Sequence, residues 1–492
     1  MKKKHWFKPK AFTHLTKKLS YNDAAWIESY VSNRENIMKH SFYPLIHRTI
    51  AVKRLRRSKN KNGDEVKKHY TINDGKRQSN VKYREIYYAN HLDSHVYSYY
   101  TQKILEPKYE DELKKNFTLD ESIIAYRRIP VKDGSRCKCN IDFADEVFEK
   151  IASFKGETMV LAIDITKFFD SIDHKILKAA WAKLLGRRDL EKDHYNIYKN
   201  VTNFSFVNLT DLITEFGFKH PNQIIQKDIS YFVENGLVFR NRIKAKGYLK
   251  RNTFRKESNG KKVTVGIPQG TPISAFLANL YLLDFDKEMV SYLSSKGSIY
   301  RRYSDDILII CPKREYALIE REILQLIARY ELVVQQSKTQ RSLFVDGKLA
   351  KGEKPVSYLG FDYDGKRKRL KSASLSKFYR KMKNAIRFRA CRALQARWKF
   401  ERGIRVDEYL HRKKLYQQFS FLGVSRTKGK KRNFHAYAYF ASEIMKSNSI
   451  TSQLSNAWKI LHNEIDRYES KYKLQRIKTI SSNKLEEKYD GR

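Results

Sequence analysis

The stretch Tyr303-Ser304-Asp305-Asp306 lies between Ser298-Ile299-Tyr300-Arg301-Arg302 and the apolar run Ile307-Leu308-Ile309-Ile310. This pattern confines the chain locally to a short β-hairpin with two adjacent carboxylates at its tip. Such a tip is expensive to build for structure alone. Like charges repel, and burial either raises a carboxyl pKa or strands a charge. Divalent cations among the carboxylates reverse that balance, so the hairpin points to a metal-dependent enzyme.

A second carboxylate follows the same logic. Val160-Leu161-Ala162-Ile163 is a β-branched run that reads as a buried strand ending at Asp164. Asp173-His174-Lys175-Ile176-Leu177 then opens a helix. Phosphoryl transfer asks a protein for in-line positioning and for neutralisation of phosphate charge. Two magnesium ions supply both, and magnesium takes only one or two carboxylates besides waters and substrate oxygens. Acidic residues on separate strand ends that meet in space therefore suffice. Taken singly, Asp164 is equally a cap or turn residue and Asp305-Asp306 a solvated turn. Phe169, five residues after Asp164, either closes the space beside a sugar 2′ carbon or is core beside Phe168.

The charge supplies the partner. The 492 residues carry 100 Lys and Arg against 54 Asp and Glu, a formal charge of +46. A field of that size attracts polyanions, and nucleic acid is the partner expected of it. With 41% hydrophobic and 13% aromatic residues, the chain has enough apolar material for a sizeable core and for two to four domains or subdomains. Cys137, Cys139, Cys311 and Cys391 are too few for a disulfide framework, and Cys137-Lys138-Cys139 lacks zinc-knuckle spacing. No segment approaches the ~18 apolar residues of a membrane span, so a cytoplasmic protein without membrane contact is expected.

Further elements read as follows. Lys53-Arg54-Leu55-Arg56-Arg57-Ser58-Lys59-Asn60-Lys61-Asn62-Gly63 is an exposed loop, either on the path of RNA or a solvated turn. The tyrosine-rich stretch 82–109 has Ile86, Ala89, Leu92, Val96, Tyr99 and Tyr100 at helical spacing. Val263-Thr264-Val265-Gly266-Ile267-Pro268-Gln269-Gly270 is a strand and a glycine-punctuated loop. Thr271 as N-cap with Pro272 behind it starts a helix burying Ile273, Phe276, Leu277, Leu280 and Leu283. Residues 314–330 form an amphipathic helix with Leu318, Ile319, Ile323, Leu324, Ile327 and Ala328 inward. Residues 366–400 contain no acid, as suits a helix lying on a phosphate backbone.

Asp164-Ile165-Thr166-Lys167-Phe168-Phe169-Asp170-Ser171-Ile172-Asp173-His174 resembles the first palm motif of bacterial reverse transcriptases. Gly266-Ile267-Pro268-Gln269-Gly270-Thr271-Pro272-Ile273-Ser274 resembles their template- and nucleotide-supporting loop and helix. Tyr303-Ser304-Asp305-Asp306 is similar to their Tyr-x-Asp-Asp hairpin. Lys338 within Gln336-Ser337-Lys338-Thr339 matches their following basic residue. Tyr358-Leu359-Gly360-Phe361 resembles the primer-grip hairpin. The motifs stand in family order across 127–364. Ala125-Tyr126-Arg127-Arg128 through Arg136-Cys137-Lys138-Cys139-Asn140 resembles the fingers of the "unknown group" defence-associated and abortive-infection reverse transcriptases. Lys39-His40-Ser41-Phe42-Tyr43-Pro44-Leu45-Ile46-His47 is similar to an early segment of the same group.

The resemblance implies an α+β right-hand polymerase with a ferredoxin-like palm and helical N- and C-terminal extensions. It divides the chain into a basic extension (1–75), fingers (76–157), a palm (158–365) with a fingers-side insertion at 185–262, and a helical thumb with an RNA-binding extension (366–492). The implied activity is RNA-directed DNA synthesis from a dedicated, structured non-coding RNA, in antiphage defence. The implied cofactors are two Mg2+ ions, with Mn2+ as a substitute, and the substrates are dNTPs. Asp164, Asp305, Asp306 and the Ile165 carbonyl would hold metal, and Lys338 would protonate the leaving pyrophosphate. Phe169 would gate the sugar, and Gln269 and Tyr303 would meet the nascent pair. Some of Arg127, Arg136 and Lys138 would hold the triphosphate. Nascent cDNA is a second partner, and a homo-oligomer is compatible with the sequence. The rival readings are a group II intron-like maturase and a non-catalytic RNA-binding protein on the same fold. Between Lys366 and Ser442 the acids are Glu401, Asp407 and Glu408, two of them adjacent; further on, Glu464 and Asp466 lie on a helical pattern with His462. They are read as surface charge, with no second catalytic site.

Overall fold

The computed structural model describes residues 6–10, 12, 14–16, 18–53, 56–59, 65–68, 70–73, 76–79, 81–215, 217, 236–258, 261–400, 410–423 and 433–474. The chain divides into two compact units. One comprises 1–127, 163–309 and 315–339, the other 128–162, 310–314 and 340–492.

Five strands form the sheet that carries the carboxylates, in the order Ile299–Tyr303, Asp306–Pro312, Glu157–Asp164, Gln340–Val345, Lys348–Leu349. The strand Asp306–Pro312 buries Ile307, Leu308, Ile309, Ile310 and Cys311 in succession. An unbroken apolar run is what an inner strand covered on both faces requires. Glu157–Asp164 pairs antiparallel with Gln340–Val345, from Glu157 opposite Val345 to Ala162 opposite Gln340.

The first unit also holds a four-stranded sheet in the order Val81–Tyr88, Leu45–Lys53, Ser205–Asn208, Lys250–Arg251. The strands on either side of position 75 pair with each other, Ile46 opposite Tyr88 through Lys53 opposite Val81. Asp173 caps the helix His174–Leu184, accepting from the Lys175 and Ile176 N–H groups. Ile273, Phe276, Leu277, Leu280 and Leu283 are all buried.

In the second unit, the helix Asn140–Ser153 buries Ile141, Phe143, Val147, Phe148 and Ile151, and Phe148 stacks on Tyr363 at 5.0 Å. The hairpin Val356–Tyr358 to Phe361–Tyr363 turns through Leu359 and Gly360, at φ 44° and 96°. Two consecutive positive φ values match the right-handed twist of paired strands. The long helix Ser372–Phe400 and the helix Ala457–Tyr472 complete this unit. None of the four cysteines is in a disulfide. Among the described residues, no helix is long and apolar enough to cross a membrane.

Several local expectations are corrected. The expected loop at 53–63 contains a strand, Arg56–Lys59, paired with Glu65–Lys68; residues 54–55 and 60–63 lie outside the described residues. The stretch 82–109 is a strand to Tyr88 before it is a helix. Tyr83 is exposed and Tyr87 buried, and the Asn90 side chain caps a helix that begins at His91. Tyrosine suits both states, so helical spacing alone misplaced the boundary. Thr271 does not cap directly. Its hydroxyl meets the Ser274 hydroxyl at 2.6 Å, and the helix Ser274–Tyr281 starts three residues later. In the helix Lys313–Arg329, Leu326 is buried, whereas Leu318 and Ala328 are exposed. Glu464 is buried and paired with Arg467 at 2.6 Å, not a surface charge. Glu401, Asp407 and Glu408 lie outside the described residues.

Candidate active site

The site is assembled within the first unit. The strand carrying Asp164 is pinned on two sides at its end. The Ile165 N–H donates to the Asp305 carbonyl at 3.3 Å. On the other side, the Gln335 N–H donates to the Asp164 carbonyl and the Thr166 N–H to the Val333 carbonyl, both at 2.8 Å. Backbone hydrogen bonds thus bring the segments bearing Asp164 and Asp305 side by side. Lys338 arrives from the one-turn helix Gln336–Lys338, and its ammonium pairs with the Asp164 carboxylate.

The hairpin tip has its own support. Ser304 adopts φ 60°, a left-handed conformation that costs a non-glycine residue about 1 kcal/mol or more. Two neighbours and burial offset this. Arg302 Nη1 donates to the Ser304 carbonyl at 3.2 Å, the Tyr126 hydroxyl donates to Ser304 Oγ at 3.2 Å, and Ser304 is buried. Arg302 is itself fully buried against Asp286, with contacts of 2.7 Å and 2.5 Å. Tyr300 donates to the same carboxylate at 2.6 Å, and Asn279 accepts from Arg302 at 3.1 Å.

Asp306 opens the following strand and is exposed, whereas Asp305 is half-buried. Burial pushes the Asp305 carboxyl above its ordinary range, and the neighbouring Asp164 charge raises it further. Its own backbone N–H, the Ser304 hydroxyl and Lys338 pull it back. The carboxylates that share a space are therefore Asp164 and Asp305, from distant strands. Among the described residues, no cluster of three or more His, Cys, Asp or Glu forms a cation cage. A magnesium site on substrate phosphates asks for less: one or two carboxylates, which Asp164 and Asp305 supply. Burial and the neighbouring Asp164 charge both act against the ionised Asp305 carboxyl, a cost that a cation between the two would relieve.

The other expected residues are placed as follows. Phe169 lies on the short helix Phe168–Ser171 and is half-buried, its ring 5.7 Å from that of Phe168. Its carbonyl accepts from the Ile267 N–H at 2.8 Å, tying the two motifs together. Gln269 is exposed, and its carbonyl accepts from the Tyr87 N–H at 2.8 Å. Gly270, at φ 120°, lies so close to the same strand that a Cβ there would sit 2.5 Å from the Tyr87 carbonyl oxygen. The Tyr303 ring is tilted against Tyr126 at 6.4 Å.

Of the three basic residues expected to share in a triphosphate site, Arg127 is engaged by protein groups. Its buried guanidinium donates to Glu110 at 2.8 Å and 2.7 Å, to the Asp120 and Ile123 carbonyls at 2.7 Å each, and to the Asp120 carboxylate. All five donors of the fork are thereby used. Arg136 and Lys138 belong to the second unit. There Arg136 is bidentate to Asp142 at 2.8 Å and 2.6 Å, and Lys138 pairs with Glu146 at 2.5 Å.

Sequence reasoning missed Tyr126, Asn279, Asp286 and Arg302. A signal existed for two of them: Asn279 and Asp286 are seven residues apart within an otherwise apolar helical pattern, where a polar side chain needs a partner.

Residues 208–363 match the family model described as "Reverse transcriptase (RNA-dependent DNA polymerase)". The match takes in Gln269, Tyr303 to Asp306, and Lys338; Asp164 precedes it. The α+β architecture with this match is of the right-hand polymerase class. A stretch of 74 residues is 35% identical to the Retron Ec86 reverse transcriptase of Escherichia coli. It covers 15% of this chain and 23% of that protein, so less than two thirds of the relative is spanned. Among solved structures, a truncated apo telomerase of Candida tropicalis aligns over 69% of this chain and 58% of its own, with 9% identity and a TM-score of 0.37. The telomerase of Candida albicans, solved with a telomeric RNA fragment, aligns over 95% and 70%, with 12% identity and a TM-score of 0.39.

Proposed function

We propose that this chain is an RNA-directed DNA polymerase that copies a structured non-coding RNA into DNA. The observation that carries the reading is the Ile165 N–H to Asp305 carbonyl bond, which sets Asp164 beside Asp305 with Lys338 on the same carboxylate. The matched reverse-transcriptase segment and the charge of +46 support it.

In this reading Asp164, Asp305 and the Ile165 carbonyl hold Mg2+, with exposed Asp306 at the edge of the site. The bound ions neutralise the charge on the transferring phosphate. Arg302 and Tyr126 hold the tip of the hairpin, so Asp305 meets the substrate without reorganisation. Lys338 pairs with the Asp164 carboxylate and would give a proton to departing pyrophosphate. Phe169 borders the sugar, and Gln269 and Tyr303 border the nascent pair. The domain division given above, fingers at 76–157, palm at 158–365 and thumb from 366, belongs to the same reading. So do a cytoplasmic setting and a role in antiphage defence, which rests on the resemblance of the fingers and N-terminal segments.

The test is incorporation of dNTPs, with magnesium, by protein purified with its bound nucleic acid. The wild type makes DNA and the Asp305→Ala/Asp306→Ala double variant makes none. Equal product from both would overturn the reading. A phage-protection assay with the same variant separates synthesis from binding: retained protection would favour the non-catalytic RNA-binding alternative.

A further inference from the structure

The helix Ser372–Phe400 presents Ala385, Phe388, Arg389, Arg392 and Ala393 at i, i+3, i+4, i+7 and i+8, the spacing of one face. That face and the segment bearing His411, Lys413 and Lys414 enclose a cleft of ≈ 610 Å³. Such a volume accommodates a nucleotide-sized ligand. Two features of the cleft are unusual for a structural groove.

The first is Phe388. It is 61% exposed on the cleft wall, with the Arg392 guanidinium over its ring at 5.1 Å. An exposed ring that already holds a flat cation offers its face to another flat group. The second is charge. Among the described residues, no carboxylate lines the cleft. Among the described residues, Arg389, Arg392, Lys413 and Lys414 have no acidic partner. Neighbouring cations are paired: Arg412 binds Glu469 at 2.6 Å, and Arg467 binds Glu464 at 2.6 Å. Arg389 donates to the His411 carbonyl at 3.2 Å, and burial holds its guanidinium below the usual value. A partly desolvated cation with no counter-ion gains most from an anion.

We infer that this cleft binds an unpaired nucleotide of RNA, with the base stacked on Phe388 and the flanking phosphates on Arg389, Arg392, Lys413 and Lys414. Stacking on an aromatic wall beside a basic track is how single strands are held without sequence readout. A duplex keeps its bases stacked inside and offers no free face. An acidic peptide would satisfy the cations but leave the ring without use. The inference rests on the proposed function only in taking RNA as the polyanion.

The experiment uses the full chain, stripped of copurified nucleic acid, without dNTPs or metal, at one fixed salt concentration. Fluorescence anisotropy reads binding of a labelled single-stranded RNA of about twelve nucleotides and of a duplex of equal length. Phe388→Ala is expected to weaken single-strand binding about tenfold and duplex binding less than twofold. Phe388→Trp restores the single-strand affinity. Arg392→Gln weakens it and lowers the salt slope by about one. Phe388 is exposed, so Phe388→Ala retains the wild-type thermal transition. Unchanged single-strand binding by Phe388→Ala, an equal loss on duplex, or equal competition by polyglutamate would overturn the assignment. The Asp305→Ala/Asp306→Ala variant keeps the Phe388 effect. A chain that makes no DNA but binds through Phe388 fails only the polymerase reading. A chain that makes DNA but binds independently of Phe388 fails only this one.

Discussion

Replacing Arg302 with Met should disable the hairpin from beneath, without touching a carboxylate of the site. Arg302 and Asp286 are both 0% exposed. Removing the guanidinium leaves the Asp286 carboxylate with the Tyr300 hydroxyl as its remaining hydrogen-bond donor among the described residues, and strips donors from Asn279 Oδ1 and the Ser304 carbonyl. Breaking one side of a buried ion pair costs about 3–5 kcal/mol, or roughly two to three and a half decades in an equilibrium constant. The pH dependence has a definite sign. Burial lifts the Asp286 carboxyl above its ordinary range, against the pull of Arg302. Without Arg302 only the Tyr300 hydroxyl opposes the lift, so the folded-state pKa rises further above the unfolded value. A raised carboxyl favours folding below the unfolded pKa, and that contribution is lost as pH rises through the folded one. Arg302→Met is therefore least destabilised in acid and worst at neutral pH. The chain has two units, so local stability is best read by hydrogen exchange at the amides of Ile307, Leu308 and Ile309. An Asp286→Leu/Arg302→Met double variant should recover most of the loss, because a matched apolar pair replaces a buried ion pair at little cost. A single-variant loss under about 1 kcal/mol, a double variant as unstable as the single one, or greater instability in acid would each refute the reasoning.

Gly270→Ala should cost about 1–3 kcal/mol and abolish DNA synthesis, because its Cβ meets the Tyr87 carbonyl oxygen at 2.5 Å; a thermal melt paired with an incorporation assay checks both. Arg127→Gln should lower thermal stability while leaving the dNTP KM of the surviving folded enzyme within about twofold, since all five donors serve Glu110, Asp120 and Ile123; a rise in KM of about tenfold would restore Arg127 to the triphosphate. Phe169→Ala should raise rNTP incorporation relative to dNTP, and an unchanged ratio would remove Phe169 from the sugar gate. RNA affinity should fall by about 10³–10⁵ between about 50 and 200 mM salt if six to ten phosphates are contacted; a flat titration would mean that the +46 charge serves another purpose.

What the sequence disclosed and what it hid divide along the range of the interactions. The strand ending at Asp164, the cap at Asp173 and the buried face from Ile273 to Leu283 are written in contiguous residues, and each was readable. Arg127 was not. Whether an arginine faces a triphosphate or a carboxylate depends on where Glu110 and Asp120 fold back, and that is a tertiary fact. The boundary at Tyr88 was hidden for a different reason: tyrosine and isoleucine serve strand and helix alike, and the decisive sign was Asn90 as a cap. Leu318 and Ala328 show the limit of periodicity itself, since a stripe of apolar residues is wider than the face the neighbouring elements cover.

The tip also changes how its two carboxylates are to be understood. Adjacent acids look costly because they are assumed to crowd each other. Here Asp306 is exposed at the start of its strand, and only Asp305 is drawn inward. The repulsion that matters lies between Asp305 and Asp164, and it is produced deliberately by backbone hydrogen bonds that hold both segments together. A protein seeking stability alone would gain by placing an asparagine at either position. Instead it adds Lys338 against Asp164, a strained Ser304, and a buried Arg302–Asp286 pair beneath. The strained Ser304 and the buried pair each cost free energy in isolation, and with Lys338 they hold Asp305 beside Asp164. In the proposed reading, a cation between the two carboxylates offsets that cost.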